Sequence, residues 1–191
     1  MAQPILAAQL YTVRDFTRTV DDFTQTMRKV RQIGYSAVQL SAIGPFPPEQ
    51  VRDIVATAGL TFSYHNHAFE FERFPGEAGT ALDLIYNETN PAYVQAEIDV
   101  YWVQFGGADP AAWIRRVRNR MPVVHLKDMT MQANQQIMAE VGEGNLNWPA
   151  ILDACREANV EWYAVEQDRC QRDPFESLAI SYRNLHGMGL A

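Results

Sequence analysis

Four strand-like stretches of this chain end in side chains that can hold a cation or move a proton. The first, 60–71, ends in His65-Asn66-His67 with Glu70 beyond it, so half of the chain's four histidines sit two residues apart in YHNHAFEFER. A second carries Asp99, with Glu97 on the same strand face. A third carries His125, then Lys127 and Asp128, and a fourth carries Glu166, then Asp168. Imidazole and carboxylate donors without a thiolate suit divalent Mn, Co, Fe, Zn or Mg. Such an ion polarises a carbonyl or hydroxyl of a sugar or keto acid, and the proton then moves through a carboxylate, a histidine or Lys127. Glu97 is compatible with a plain surface position and is not assigned to the site. Of Glu70 and Glu72, one is expected to be solvated.

Such residues act together only if a scaffold brings the strand ends to one place. The hydrophobic spacing alternates short β-like runs, 5–13, 36–41, 60–71, 94–103, 122–129 and 162–168, with helical runs, 20–34, 47–59, 81–88, 109–120, 147–160 and 173–188. Gly34 and Gly59 read as helix stops, and Asp109 as an N-cap. Six strand–helix units in series predict an α/β fold with parallel strands, a doubly wound sheet or a barrel. Both gather function at the carboxyl ends of the strands. The residues between the fifth strand and the helix at 147 read as a polar loop.

Composition narrows the partners. The 191 residues are enough for one domain with a sizeable core. Net charge is −7, and the one basic run, IRRVRNR at 114–120, reads as a solvated helix face, so nucleic acid is not expected. No apolar run reaches the roughly 18 residues of a membrane span, and MAQPILAAQLYTVRD has no basic n-region of a signal peptide. Cys155 and Cys170 are isolated and expected to be reduced, as in a cytoplasmic protein. No G-x-G-x-x-G follows the first strand, which argues against a dinucleotide.

The segments QLYTVRD, YHNHAFEFE, EIDVYWV, VVHLKDM, VGEGNLNWPAI and EWYAVEQD, in that order, resemble the sugar phosphate isomerase/epimerase family. This is the xylose isomerase-like TIM barrel group, which includes inosose dehydratase and ketose 3-epimerases. The resemblance implies a divalent metal held by His65, Asp99, His125 and Glu166, at positions matching the family's ligands. It implies acid/base or substrate roles for Glu166, Lys127, His67 and Glu70, and substrate contacts for Asn66, Trp102 and Glu143, the last from a loop closing the pocket. The implied substrate is a small sugar or polyol derivative, and the implied chemistry is proton transfer beside a carbonyl.

Two departures modify that expectation. His65 stands where the ketose epimerases carry one glutamate of a pair, which leaves a dehydratase, a keto-sugar lyase or an isomerase with another base open. The chain also has six units, against eight in a full barrel. The gap falls between ATAGL and TFSYHNH, and Gln39 stands where relatives often have Glu. A shortened barrel is expected to close tightly or to cover its gap with a second copy, a homodimer meeting around residues 41–64. The rival expectation is a non-catalytic sugar-binding remnant. A DNA-repair endonuclease is disfavoured, since Trp102 stands where those enzymes carry a histidine.

Overall fold

The computed structural model describes residues 4–35, 37–39, 62–91 and 94–190. The chain runs through β1 (Ile5–Gln9), a 3₁₀ turn (Leu10–Phe16), α1 (Val20–Ile33), β2 (Ala37–Gln39), β3 (Phe62–His65), α2 (Ala81–Glu88) and β4 (Val94–Asp99). It continues through α3 (Val100–Phe105), α4 (Pro110–Arg116), β5 (Val123–Leu126), β6 (Asp128–Gln132), β7 (Gln135–Ala139), α5 (Trp148–Glu157), β8 (Trp162–Val165) and α6 (Pro174–Gly187).

Six strands form one sheet in the order β2-β1-β8-β5-β4-β3, every pair parallel. The first strand pairs with the last, and the others follow chain order around from there. A doubly wound sheet reverses direction at a switch point; this one does not, so the fold is a shortened TIM-barrel-like α/β structure. β2 and β3 are the two edges of the described sheet. The helix expected at 47–59 and most of the interface expected at 41–64 lie outside the described residues.

Helix starts are fixed by side chains that satisfy orphan amide groups. Thr19 caps α1, Asp109 caps α4 ahead of Pro110, Asn147 caps α5 and Asp173 caps α6 ahead of Pro174. At α2, Thr80 and Asp83 form a reciprocal capping box, and Arg116 reaches Asp83 from α4. α1 ends at Gly34, whose φ of 128° a side chain would resist and whose missing β-carbon makes room for the Tyr182 ring.

The strands separate two environments by their period of two. Leu6, Ala8, Ile98, Val124, Leu126, Tyr163 and Val165 are buried in the apolar core with helix residues such as Val30, Ile114, Ile151, Leu178 and Leu185. Each such aliphatic side chain removed from water contributes roughly 1.5–3 kcal/mol. The alternate positions face the other way, and the register sets His65 beside Glu97, Asp99 beside His125, and His125 beside Ala164.

Several boundaries differ from the sequence reading. The strand expected over 5–13 ends at Gln9, whose side chain accepts from the Tyr11 amide at 2.9 Å as the 3₁₀ turn begins. The strand expected over 60–71 ends at His65, because Glu70 turns back to accept from the His67 amide at 2.9 Å and a 3₁₀ turn follows at Phe69–Phe71. The strand expected over 94–103 ends at Asp99, whose Oδ1 accepts from the Tyr101 and Trp102 amides and so starts α3. The expected polar loop contains the antiparallel hairpin β6–β7. Its turn places Ala133 and Asn134 at φ 50° and 60°, a mirror-image turn without the usual glycine.

Candidate metal centre

His65, Asp99, His125 and Glu166 leave four neighbouring strands at one end of the sheet, His65 from β3, Asp99 from β4, His125 from β5, and Glu166 just past β8. One donor atom from each lies within 4.8 Å of all the others. Opposite donors of a six-coordinate ion stand about 4.0–4.4 Å apart when each is roughly 2.0–2.2 Å from it, so a small contraction would close the set on a cation. The donors are two imidazole nitrogens and two carboxylates, a composition suited to a divalent transition ion.

Asp99 serves two roles through its two oxygens. Oδ1 caps α3, while Oδ2 lies 3.1 Å from Nε2 of His65 and accepts from Lys127 Nζ at 3.0 Å. The amide of Asp99 donates to Asn66 Oδ1 at 3.0 Å, which fixes the strand end itself. Burial opposes the Asp99 charge, but Lys127 and His65 outweigh it and hold the carboxyl well below the usual range.

His125 is oriented from behind. Its Nε2 donates to Glu97 Oε1 at 2.7 Å, leaving Nδ1 at 3.2 Å from Glu166 Oε2 and 3.7 Å from Asp99 Oδ2. A carboxylate on one ring nitrogen fixes the tautomer that presents the other to a metal. Burial opposes protonation of His125, yet bonds to Glu166 and Glu97 outweigh it and raise the imidazole to about 9. Glu97 is therefore no surface residue: it is 7% exposed and part of the centre. The sequence signal was its position two residues before Asp99, on the same face.

Lys127 is buried and bound by three carboxylates, Asp99 at 3.0 Å, Glu166 at 2.5 Å and Asp168 at 3.1 Å. Burial works against the ammonium, and these three partners still raise it above its ordinary value. Burial works against both carboxylates: at Glu166, bonds from His125 and Lys127 prevail and lower it; Asp168 is raised by burial, with the Glu166 charge adding to it.

The centre lies in a cleft of about 1130 Å³, lined also by Gln9, Tyr11, Arg14, His67, Trp102 and Gln136. His67 and Trp102 stand on its wall with ring centroids 5.4 Å apart. Partial burial, then the neighbouring His65, lowers the His67 imidazole below its ordinary value. Four expected site residues are not on that wall: Asp99, fully buried among the other ligand-type groups, and Glu70, Asn66 and Glu143. Glu70 is buried and accepts from Tyr64 Oη at 2.8 Å as well as from the His67 amide. Asn66 is buried under Asp99. Glu143 is exposed and accepts from Asn184 on α6 at 3.0 Å. Gln9, Tyr11, Arg14, Tyr101, Gln136 and Asp168 were absent from the expected set and do line the cleft. Of these, Asp168 carried a visible signal as the second acid after the last strand.

The VGEGNLNW motif has a structural explanation beside these contacts. Asp128 is fully buried and accepts five hydrogen bonds, from the amides of Met129, Gly142, Gly144 and Leu146 and from Trp148 Nε1. A β-carbon on Gly144 would collide with Asp128 and with the Met129 carbonyl oxygen. The loop wraps one carboxylate, which sits next to Lys127.

No protein-family model matches the chain. Among curated proteins it is similar to an inosose dehydratase of Geobacillus thermodenitrificans (strain NG80-2), 26% identical over 142 residues, which is 65% of this chain and 46% of that protein. The chain thus matches about half the length of that relative. Among solved structures, a sugar phosphate isomerase/epimerase from Parabacteroides distasonis ATCC 8503 is 25% identical with a TM-score of 0.55, over 95% of this chain and 70% of that one. An L-ribulose 3-epimerase superposes with a TM-score of 0.59 at 12% identity, over 100% of this chain and 95% of the other. In fold the chain is similar to solved sugar phosphate isomerase/epimerases and xylose isomerase-like proteins.

Proposed function

We propose that this chain is a metal-dependent enzyme of sugar or polyol metabolism that moves a proton beside a carbonyl, in the manner of an isomerase or epimerase. The observation that carries this reading is the convergence of His65, Asp99, His125 and Glu166 at the strand ends, three of them lining a polar cleft and Asp99 fully buried against them. These four residues would hold the ion. When bound, the ion would supply a Lewis acid that polarises the substrate's carbonyl and adjacent hydroxyl.

The residues around it carry the remaining work. Glu97 holds His125 in its binding tautomer. Lys127, with Nζ between Asp99, Glu166 and Asp168, is the group placed to give a proton to a substrate oxygen, and Glu166 is the adjacent carboxylate able to take one from carbon. His67 and Trp102 bound the wall against which the substrate lies. A dehydratase is the second reading. It is favoured by the similarity to an inosose dehydratase and by the lysine beside the centre, which can protonate a leaving hydroxyl.

The test is metal analysis of the purified protein, then incubation with Mn²⁺ and a panel of ketoses, aldoses and inososes in D₂O, followed by NMR. Deuterium gained at the carbon beside the carbonyl supports proton transfer, and loss of water from the same substrates supports the dehydratase. A protein that takes up Mn²⁺ and exchanges no proton of any panel member would favour the non-catalytic reading. We also propose a homodimer, supported by the β3 edge having no strand partner among the described residues; a monomer in light scattering at micromolar concentration would refute it.

A further inference from the structure

Asp99 has one oxygen to offer an ion. Its Oδ1 accepts from the amides of Tyr101 and Trp102 at 3.0 and 3.1 Å and is committed to starting α3. An ion held by His65, Asp99, His125 and Glu166 must therefore meet Oδ2, and Oδ2 already accepts from Lys127 Nζ at 3.0 Å. Glu166 repeats the arrangement: Oε2, the oxygen 3.2 Å from His125 Nδ1, is also the oxygen bound to Lys127 at 2.5 Å. The ammonium thus sits on the two carboxylate oxygens that face the imidazoles. A dication on those same oxygens would repel it at short range, in a buried setting that screens little. Ion and lysine compete for one pair of atoms.

A displaced ammonium needs another carboxylate, because a buried charge without a partner is strongly destabilising. The main chain of Lys127 is held on both sides, Leu126 beside Val165 in the sheet and Asp128 under its five hydrogen bonds. Movement is therefore left to the side-chain torsions. The third partner, Asp168, stands outside the set of four, with Oδ2 3.1 Å from Nζ. Its side chain is 22% exposed, against 0% for Asp99 and 6% for Glu166, so it lies on the open side of the centre and lines the cleft. Its own backbone is braced: its carbonyl accepts from Arg14 Nη2 at 3.2 Å, and the amide of Gln167 before it donates to Thr12 Oγ1 at 2.9 Å. The Trp102 ring, 5.7 Å from Nζ, offers the ammonium only a π-face.

We propose that Asp168 is a positioning residue: as the metal centre fills, it takes over the Lys127 ammonium from Asp99 and Glu166 and holds it at the face of the cleft. This rests on the reading of the four residues as a metal centre, and it adds how the proton donor of that centre is set in place. Without an ion, Nζ is bound down among the ligands. With one, Nζ is carried by the carboxylate that is open to the cleft, where a substrate oxygen can reach it.

The test is a double-mutant cycle on Mn²⁺ affinity, read by calorimetry on the full chain as wild type, Lys127→Met, Asp168→Asn and the double variant. Lys127→Met should bind Mn²⁺ about tenfold more tightly than wild type, and Asp168→Asn about tenfold more weakly. In the Lys127→Met background, Asp168→Asn should change the affinity by less than about twofold, because no ammonium is left to receive. A carboxylate acting on the ion directly would weaken binding equally in both backgrounds. That result, an unchanged affinity in Asp168→Asn, or an affinity no higher in Lys127→Met would overturn the proposal while the metal centre stands. If Lys127→Met does not fold without metal, Lys127→Gln, which keeps a donor to the carboxylates, takes its place in the cycle. If wild type and every variant bind no Mn²⁺ at about 1 mM, the metal centre itself falls and the proposal with it.

Discussion

Asp128→Asn should be among the most damaging conservative substitutions in the molecule. Oδ2 accepts from Gly142, Gly144 and Trp148, and Oδ1 accepts from Met129 and Leu146. An amide has one accepting oxygen and one donating nitrogen. Its better orientation turns the oxygen to the three donors and sets the nitrogen against the Met129 and Leu146 amides. A buried N–H left without an acceptor costs about 1–3 kcal/mol, so two cost about 2–6 kcal/mol, before the lost charge on the other three bonds is counted. That is a large share of the roughly 5–15 kcal/mol that stabilises a domain. Urea unfolding followed by circular dichroism should show the unfolding free energy falling by this amount, through a lower midpoint at unchanged slope. The damage should reach the cleft, because the same carboxylate ties the 142–148 loop to the hairpin that carries Gln136 and Met138. A loss below about 1 kcal/mol would show that this loop is held by its apolar contacts, and the account of the VGEGNLNW motif would fail.

Lys127→Met leaves Asp99, Glu166 and Asp168 without their shared ammonium; the metal-free protein should lose about 3–5 kcal/mol. Because a cation would occupy the same carboxylates, Mn²⁺ should raise the melting temperature of Lys127→Met more than that of wild type, and equal shifts would remove Lys127 from the centre. Glu97→Gln should lower Mn²⁺ affinity by about 10–100-fold through the tautomer of His125, measured by calorimetry, with unchanged affinity the refuting result. Asp83→Ala breaks the capping box of α2 and should cost about 1–2 kcal/mol in urea unfolding. Burial opposes the Asp83 charge, but bonds from Thr80 and then Arg116 hold its folded-state value below 3.8. Its contribution is therefore complete above that pH and lost as pH falls through the lower folded value, so variant and wild type should converge in acid. A constant gap down to about pH 2 would contradict this linkage.

What the sequence revealed and what it concealed divide along a physical line. Spacing of two along a strand is local, so the polar face shared by His65, Asp99 and His125 could be read from composition, and Glu166 from its place after the last strand. Strand ends were overestimated wherever a side chain turned back on the backbone, as Asp99 does on α3 and Glu70 on the His67 amide. The hairpin escaped notice because its turn is Ala133-Asn134 rather than a glycine pair. Glu97 was left out because a lone glutamate on a strand is stable there only if the neighbouring strand offers His125, a pairing fixed by register rather than by sequence.

The same reasoning explains why Arg14 went unseen while Lys127 did not. Arg14 is more than 150 residues from Asp168, with |i−j| of 154, and the two meet only because the first strand pairs with the last. Cyclic strand order of this kind brings the turn after β1 to the strand end that carries Glu166. A doubly wound sheet would place the same sequence elements on separate sides of a switch point. The fold class therefore determines more than shape here. It decides whether the basic residue of QLYTVRD is a solvated turn residue or a wall of the site, and the β1–β8 register decides for the wall.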